Sequence, residues 1–99
     1  MARPINPPVH PSEILRGEFL VPLGMSAGAL AKRLNAPGAR IERLVAETTA
    51  MTPDTALRLG KFFATSPEFW MNLQTAFDLT AQSQAMKEEI AAIEEMKAA

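Results

Sequence analysis

An all-α fold follows from three features of this sequence. Apolar residues recur at i, i+3, i+4 and i+7 in successive segments, helix-start signals of a small polar residue followed by proline repeat along the chain, and no stretch alternates with the two-residue rhythm of a strand. At 99 residues the chain makes one domain, large enough to bury roughly two-thirds of its unfolded surface without a disulfide or a metal. It has no Cys and a single His, which excludes Cys-based redox or zinc chemistry and a multi-histidine metal site. No cofactor is expected. No apolar run approaches the roughly 18 residues of a membrane span, and Met-Ala-Arg-Pro at the start lacks the apolar core of a secretory signal, so a cytoplasmic protein is expected.

Residues 1–9 carry Pro4, Pro7 and Pro8 and predict an extended N-terminal arm. A first helix is expected from His10 or Pro11 to about Leu20, with Ile14, Leu15 and Phe19 facing inward, Glu13 in the first turn and Pro22 and Gly24 ending it. His10 either caps that helix or lies on the surface.

The stretch Ser26 to Ala46 predicts two short helices joined by a turn of about four residues. Ser26 is a good N-cap, and Ala27, Leu30, Ala31 and Leu34 form one apolar face. Asn35 suits the left-handed exit from a helix, and Pro37 suits the first turn of the next. In that second helix Ile41, Leu44 and Val45 share the packing side, Ala39, Glu42, Arg43 and Ala46 point away, and Arg40 and Glu47 flank. Ala31 is small where the two helices cross closely. Ala31, Asn35, Ile41 and Leu44 thus stand at the spacing of the helix-turn-helix unit that reads DNA.

Thr52-Pro53-Asp54 and Ser66-Pro67-Glu68 each combine an N-cap, a proline at the first helical position and an acid at the positive helix end. The first opens a fourth helix to about Phe63, with Ala56, Leu59, Gly60 and Phe63 inward and Gly60 permitting a close backbone approach. The second opens a fifth, with Phe69, Trp70, Leu73, Ala76 and Phe77 as core. Thr80 to Ala99 predicts a sixth helix with a narrow stripe of Met86, Ile90 and Ile93 among Glu and Lys, able to fold back, to pair with a second copy or to hold a protein partner.

Formal charge is −1, too low for a strong non-specific nucleic-acid binder. It is unevenly spread: Glu88, Glu89, Glu94 and Glu95 against Lys87 and Lys97 near the end, and Lys32, Arg33, Arg40 and Arg43 against Glu42 within the helix pair. No nucleophile–base grouping, phosphate-cradling glycine loop or set of metal ligands is apparent, so an enzyme is not expected.

Thr52-Pro53-Asp54-Thr55-Ala56-Leu57-Arg58-Leu59, the block Ser66-Pro67-Glu68-Phe69-Trp70-Met71-Asn72-Leu73-Gln74 and the opening His10-Pro11-Ser12-Glu13-Ile14-Leu15 together resemble the HigA/VapI-type antitoxins, a branch of the Xre/Cro/C1-type helix-turn-helix proteins. The resemblance covers about His10 to Leu79. It implies a λ-repressor-like five-helix domain over residues 10–79, followed here by the 80–99 helix, and a dimer that represses its own operon and neutralises a RelE/HigB-like ribonuclease toxin. Double-stranded operator DNA would then be read in the major groove by two such helices about 34 Å apart. On that reading Arg43 and Arg40 are the candidates for bases or phosphates, with Glu42 placed to accept from a cytosine amine or to orient Arg43. Ser26 with the amides of its helix, Thr48 and Thr49 would meet phosphate, Lys32 and Arg33 the flanking backbone, and Gly38 and Ala39 complete the face. The sequence departs from the family at four points. Ala27 replaces a phosphate-bracing Gln, Gly38 and Ala39 replace polar or basic residues, and Glu47 stands in a loop that is usually basic. Those departures imply weaker DNA contact. They leave a second possibility, a protein-interaction module that keeps the fold without the DNA role.

Overall fold

The computed structural model describes residues 8–97. Among them are six helices and no strand: α1 (Pro11–Leu23), α2 (Ala27–Leu34), α3 (Gly38–Val45), α4 (Pro53–Phe63), α5 (Pro67–Ala85) and α6 (Lys87–Ala91). The all-α architecture is thus as the apolar periodicity predicts. The arm expected over residues 1–9 lies outside the described residues except for Pro8 and Val9, which form no regular element. No single described helix is long and apolar enough to cross a membrane.

Each start follows from its cap. His10, Ser26, Thr52 and Ser66 have extended backbones, and their side chains accept from amides at the starts of α1, α2, α4 and α5. At α1 the cap is reciprocal: Ser12 N–H donates to His10 Nδ1 at 3.1 Å while His10 N–H donates to the Glu13 carboxylate at 3.3 Å. Asn35 (φ 54°) and Ala64 (φ 59°) end α2 and α4 in the left-handed conformation. Pro37 stands one position earlier than expected. It is the extended residue before α3 (ψ 136°), so the helix begins at Gly38 without a side-chain cap.

α1 runs past the expected end at Leu20. Residues Leu15–Leu20 are wound in wider π-helical turns, with the Val21 N–H reaching the Arg16 carbonyl, and Pro22 lies in the last turn before Gly24 (φ 60°) stops the helix. The widened turns precede a proline that has neither the N–H nor the room for a regular α-turn.

The core gathers Leu15, Leu20, Leu30, Ala31, Leu34, Ile41, Leu44, Met51, Ala56, Leu59 and Trp70. α1 and α2 cross at 93°, α2 packs on α3 and α4, α4 on α5, and α1 on α3 and α5. Trp70 is the largest fully buried side chain; its indole N–H donates to Thr65 Oγ1 at 2.8 Å and Phe19 lies 5.2 Å from it, ring centre to ring centre. Gly60 is a necessity there, since a Cβ would stand 2.9 Å from the Thr65 carbonyl oxygen and 3.2 Å from the Pro67 nitrogen. Phe69 and Ala76, expected in the core, face outward instead, because Trp70 and Gln74 take the buried positions of α5. Gln74 ties the core to the loop before α4: its Oε1 accepts from the Met51 N–H at 2.6 Å and its Nε2 donates to Asp78 at 2.9 Å.

The division expected at residue 80 is not a helix boundary. α5 continues to Ala85, Met86 (φ −108°) interrupts it, α6 lasts five residues, and 94–97 have no regular structure. A segment this short, with Ile90, Ile93 and Met96 all exposed, lacks the packing that sustains a helix in water.

Candidate nucleic-acid interface

α3 is held by two residues and presents the others. Ile41 and Leu44 are fully or almost fully buried, while Gly38, Ala39, Glu42 and Arg43 are exposed. Among the described residues the Arg43 guanidinium has no hydrogen bond or ion pair, and a cleft of about 260 Å³ opens beside it toward Thr49, Thr52 and Asp54. Ser26, exposed at the start of α2, spends its hydroxyl on the Ala29 N–H at 3.1 Å. That leaves the earlier amides of the helix, at Ala27 and Gly28, outside the intrahelical ladder.

Arg40 is differently placed. Its guanidinium donates to Asp54 at 2.7 Å, and the same carboxylate oxygen accepts from Arg58 Nε at 2.7 Å. Arg58 in turn donates to the carbonyls of Leu34 and Asn35, each at 2.9 Å. This chain bolts the start of α4 to the helix-turn-helix turn. The hydrogen bond from Arg58, and then that from Arg40, hold the Asp54 carboxyl below its ordinary value, because both favour the charged form. Arg33 is likewise engaged, its guanidinium lying 5.0 Å from the centre of the Phe62 ring, whereas Lys32 is exposed on the neighbouring position.

The loop after α3 is clamped by α1. Ser12 Oγ donates to the Leu44 carbonyl, Arg16 donates to the Val45 carbonyl and to the Glu47 carboxylate, both at 2.5 Å, and His10 Nε2 donates to the Thr49 carbonyl at 3.1 Å. Because His10 Nδ1 accepts from Ser12, its proton belongs on Nε2. The Thr48 amide and hydroxyl both donate to the Arg43 carbonyl, at 2.9 and 3.0 Å. The last carbonyls of α3 are therefore satisfied by neighbours, and the helix is fixed in angle and register against α1. Glu47, whose charge reads from the sequence as a liability beside phosphate, is paired with Arg16 and adopts φ 65°.

Of the ten residues expected at the interface, the structure brings Gly38, Ala39, Glu42, Arg43, Thr48 and Thr49 to one helix and its following loop, all exposed. Ser26 caps α2 and Lys32 lies on it, and Arg33 and Arg40 are turned against Phe62 and Asp54. The clamp residues His10, Ser12, Arg16, Asp54 and Arg58 are not legible as site residues. Their only sequence signal is local, the caps at His10 and Thr52, and their long-range partners lie 14 to 39 positions away.

A short helix crossed by a second that is anchored beneath and exposed above, with its rear carbonyls pinned, defines a helix-turn-helix regulator. The chain matches no protein-family model. Virulence-associated protein I of Dichelobacter nodosus is 49% identical over 78 residues, 79% of this chain and 72% of that protein. Antitoxin HigA of Pseudomonas aeruginosa, solved with the higBA promoter, superposes with a TM-score of 0.87 at 40% identity, covering 91% of this chain and 99% of that one. Antitoxin GraA in complex with its operator gives 0.87 at 39% identity over 99% of this chain and all of that one. The chain belongs to the HigA/VapI-type antitoxins of the helix-turn-helix class, and the likeness to GraA extends through the C-terminal segment, beyond the 10–79 stretch that carries the sequence resemblance.

Proposed function

We propose that this chain is a sequence-specific operator-binding repressor. It acts as a dimer and as the antitoxin of a type II pair, neutralising a RelE/HigB-like ribonuclease toxin in the cytoplasm. The observation that carries the reading is the exposed Arg43 on a helix whose other side, Ile41 and Leu44, is locked in the core. Arg43 reads a guanine edge in the major groove through O6 and N7. Gly38 and Ala39, with no bulk at the head of α3, let its backbone approach the bases, and Glu42 accepts from a cytosine amine. Ser26 with the first amides of α2, together with Thr48, Thr49 and Lys32, positions the chain on phosphates. Arg33 and Arg40, engaged with Phe62 and Asp54, contribute flanking positive charge.

The Arg16–Glu47 pair supports this reading over the interaction-module one, because the acid of the loop meets a guanidinium instead of bare phosphate. Catalysis has no place in the reading: the single histidine spends both ring nitrogens on Ser12 and Thr49. A salt-titrated shift assay on the DNA upstream of the chain's own gene tests the proposal. Specific binding whose logarithm falls linearly with the logarithm of salt is expected. A folded dimer with no specific binding at low salt would reject it.

A further inference from the structure

Arg40 and Arg43 stand one turn apart on α3 and line the same cleft of about 260 Å³, yet they are not equally free. The Arg43 side chain has no hydrogen bond or ion pair among the described residues, whereas Arg40 donates to Asp54 at 2.7 Å. Among the described residues that line this cleft, Asp54 is the only acid. It sits in the first turn of α4, exposed like Arg43 and Thr49, on the side that the operator-binding reading turns toward DNA. A carboxylate in that place repels phosphate, and it also occupies one of the two cations that α3 offers.

The two arginines on Asp54 are held differently. Arg58 bonds the same carboxylate oxygen at 2.7 Å and also donates to the Leu34 and Asn35 carbonyls, so three acceptors fix it to the turn. The Arg40 guanidinium has Asp54 alone among the described residues. That pair is open to water, its side chains 38% and 53% exposed, and an ion pair so placed is weak and screened by salt. A backbone phosphate of duplex DNA stands in the combined field of its neighbours and competes well for a guanidinium within its reach. Arg40 is therefore the member of the cluster that can leave, and Arg58 keeps Asp54 charged and in place while it does.

We propose that Asp54 is a specificity-determining positioning residue, which holds Arg40 back from phosphate in loosely seated complexes and yields it to a backbone phosphate only once Arg43 has seated α3 on its base pair. Specificity is a difference of affinities. Non-specific binding is almost entirely phosphate contact, so a cation withheld from it and supplied to the operator complex widens that difference. This role rests on the operator-binding reading and adds to it the residue that sets how strongly unrelated DNA is refused.

The experiment uses the full chain, its fold checked by circular dichroism, and titrates operator DNA and a scrambled duplex of equal length over a salt series. Asp54→Asn is expected to raise affinity for the scrambled duplex about fivefold and for the operator less than about twofold, and to steepen the salt dependence on the scrambled duplex by about two units, one cation from each copy of a dimer. Asp54→Glu, which keeps the charge, is expected to behave as the parent. Arg40→Ala is expected to weaken operator binding about fivefold, and adding Asp54→Asn to it is expected to change scrambled-duplex binding by less than about twofold with no change of slope. An unchanged slope in Asp54→Asn, an equal rise on both duplexes, an Asp54→Glu chain that resembles Asp54→Asn, an Arg40→Ala chain with parental operator affinity, or a rise that persists without Arg40 would each overturn the role of Asp54. Any of these in a parent chain that still prefers its operator leaves the repressor reading standing. A parent without that preference would overturn both.

Discussion

Replacing His10 by alanine removes three interactions that the structure places on one buried ring. The Nδ1 cap of α1 is lost, leaving the Ser12 N–H without its acceptor, at a cost of about 1 kcal/mol. The Nε2 bond to the Thr49 carbonyl is lost as well, for about another 1 kcal/mol. The edge contact with Phe77, at 5.0 Å between ring centres, and the packing of a ring only 4% exposed add about 1 kcal/mol more. The variant is therefore expected to lose about 3 kcal/mol of unfolding free energy in urea titration and, for a domain of this size, more than about 10 °C in Tm. His10→Asn is the informative control. Asparagine caps as well as any residue but is too short to reach Thr49 as well, so it is expected to recover about a third of the loss. A His10→Ala chain within about 1 kcal/mol of the parent would refute the claim that this ring ties α1 to the loop that follows α3.

Gly60→Ala is expected to destabilise by about 1–3 kcal/mol, because its Cβ meets the backbone at Thr65 and Pro67 and neither can yield as a flexible side chain would; thermal denaturation checks it. Asp54 has a folded-state pKa below its ordinary value, so its pairing with Arg58 and Arg40 stabilises the fold above that ordinary value and is lost as pH falls through the folded one. Stability measured from pH 5 downward is expected to fall less steeply in Asp54→Asn than in the parent, and equal slopes would contradict the pairing. Arg16→Ala leaves Glu47 unneutralised and the Val45 carbonyl unpaired. Operator affinity is expected to drop severalfold, with partial recovery in Arg16→Ala/Glu47→Ala, and a double variant no better than the single one would show that the Glu47 charge is immaterial.

Local chemistry in the sequence suffices for the helix-turn-helix itself. Ser26 caps, Asn35 exits left-handed, and Ile41 and Leu44 go inward while Arg43 goes outward, because each choice is settled within one or two helical turns. Where two local signals compete, the reading is less faithful. Pro22 reads as a terminator, yet wide turns over Leu15–Leu20 carry the helix past it. Phe69 reads as core because it is aromatic, but the side of α5 toward the core is set by Trp70 and Gln74. The C-terminal segment has helix propensity throughout, but propensity without tertiary packing gives only the short α6. What decides the behaviour of the candidate interface is least local of all. Arg16, 31 positions from Glu47, reverses the meaning of that acid, and Asp54, 14 positions from Arg40, turns a free cation into a strut. Neither pairing has a periodicity or a spacing to announce it.

Salt-titrated binding of the Arg43→Ala chain to its own upstream DNA shows whether α3 reads DNA through Arg43. The Arg43 side chain makes no hydrogen bond or ion pair among the described residues and is exposed, so the variant is expected to fold and to dimerise as the parent does. It is expected to lose about 1–3 kcal/mol of specific affinity while non-specific binding changes little. Unchanged specific affinity in a folded Arg43→Ala dimer would contradict the account.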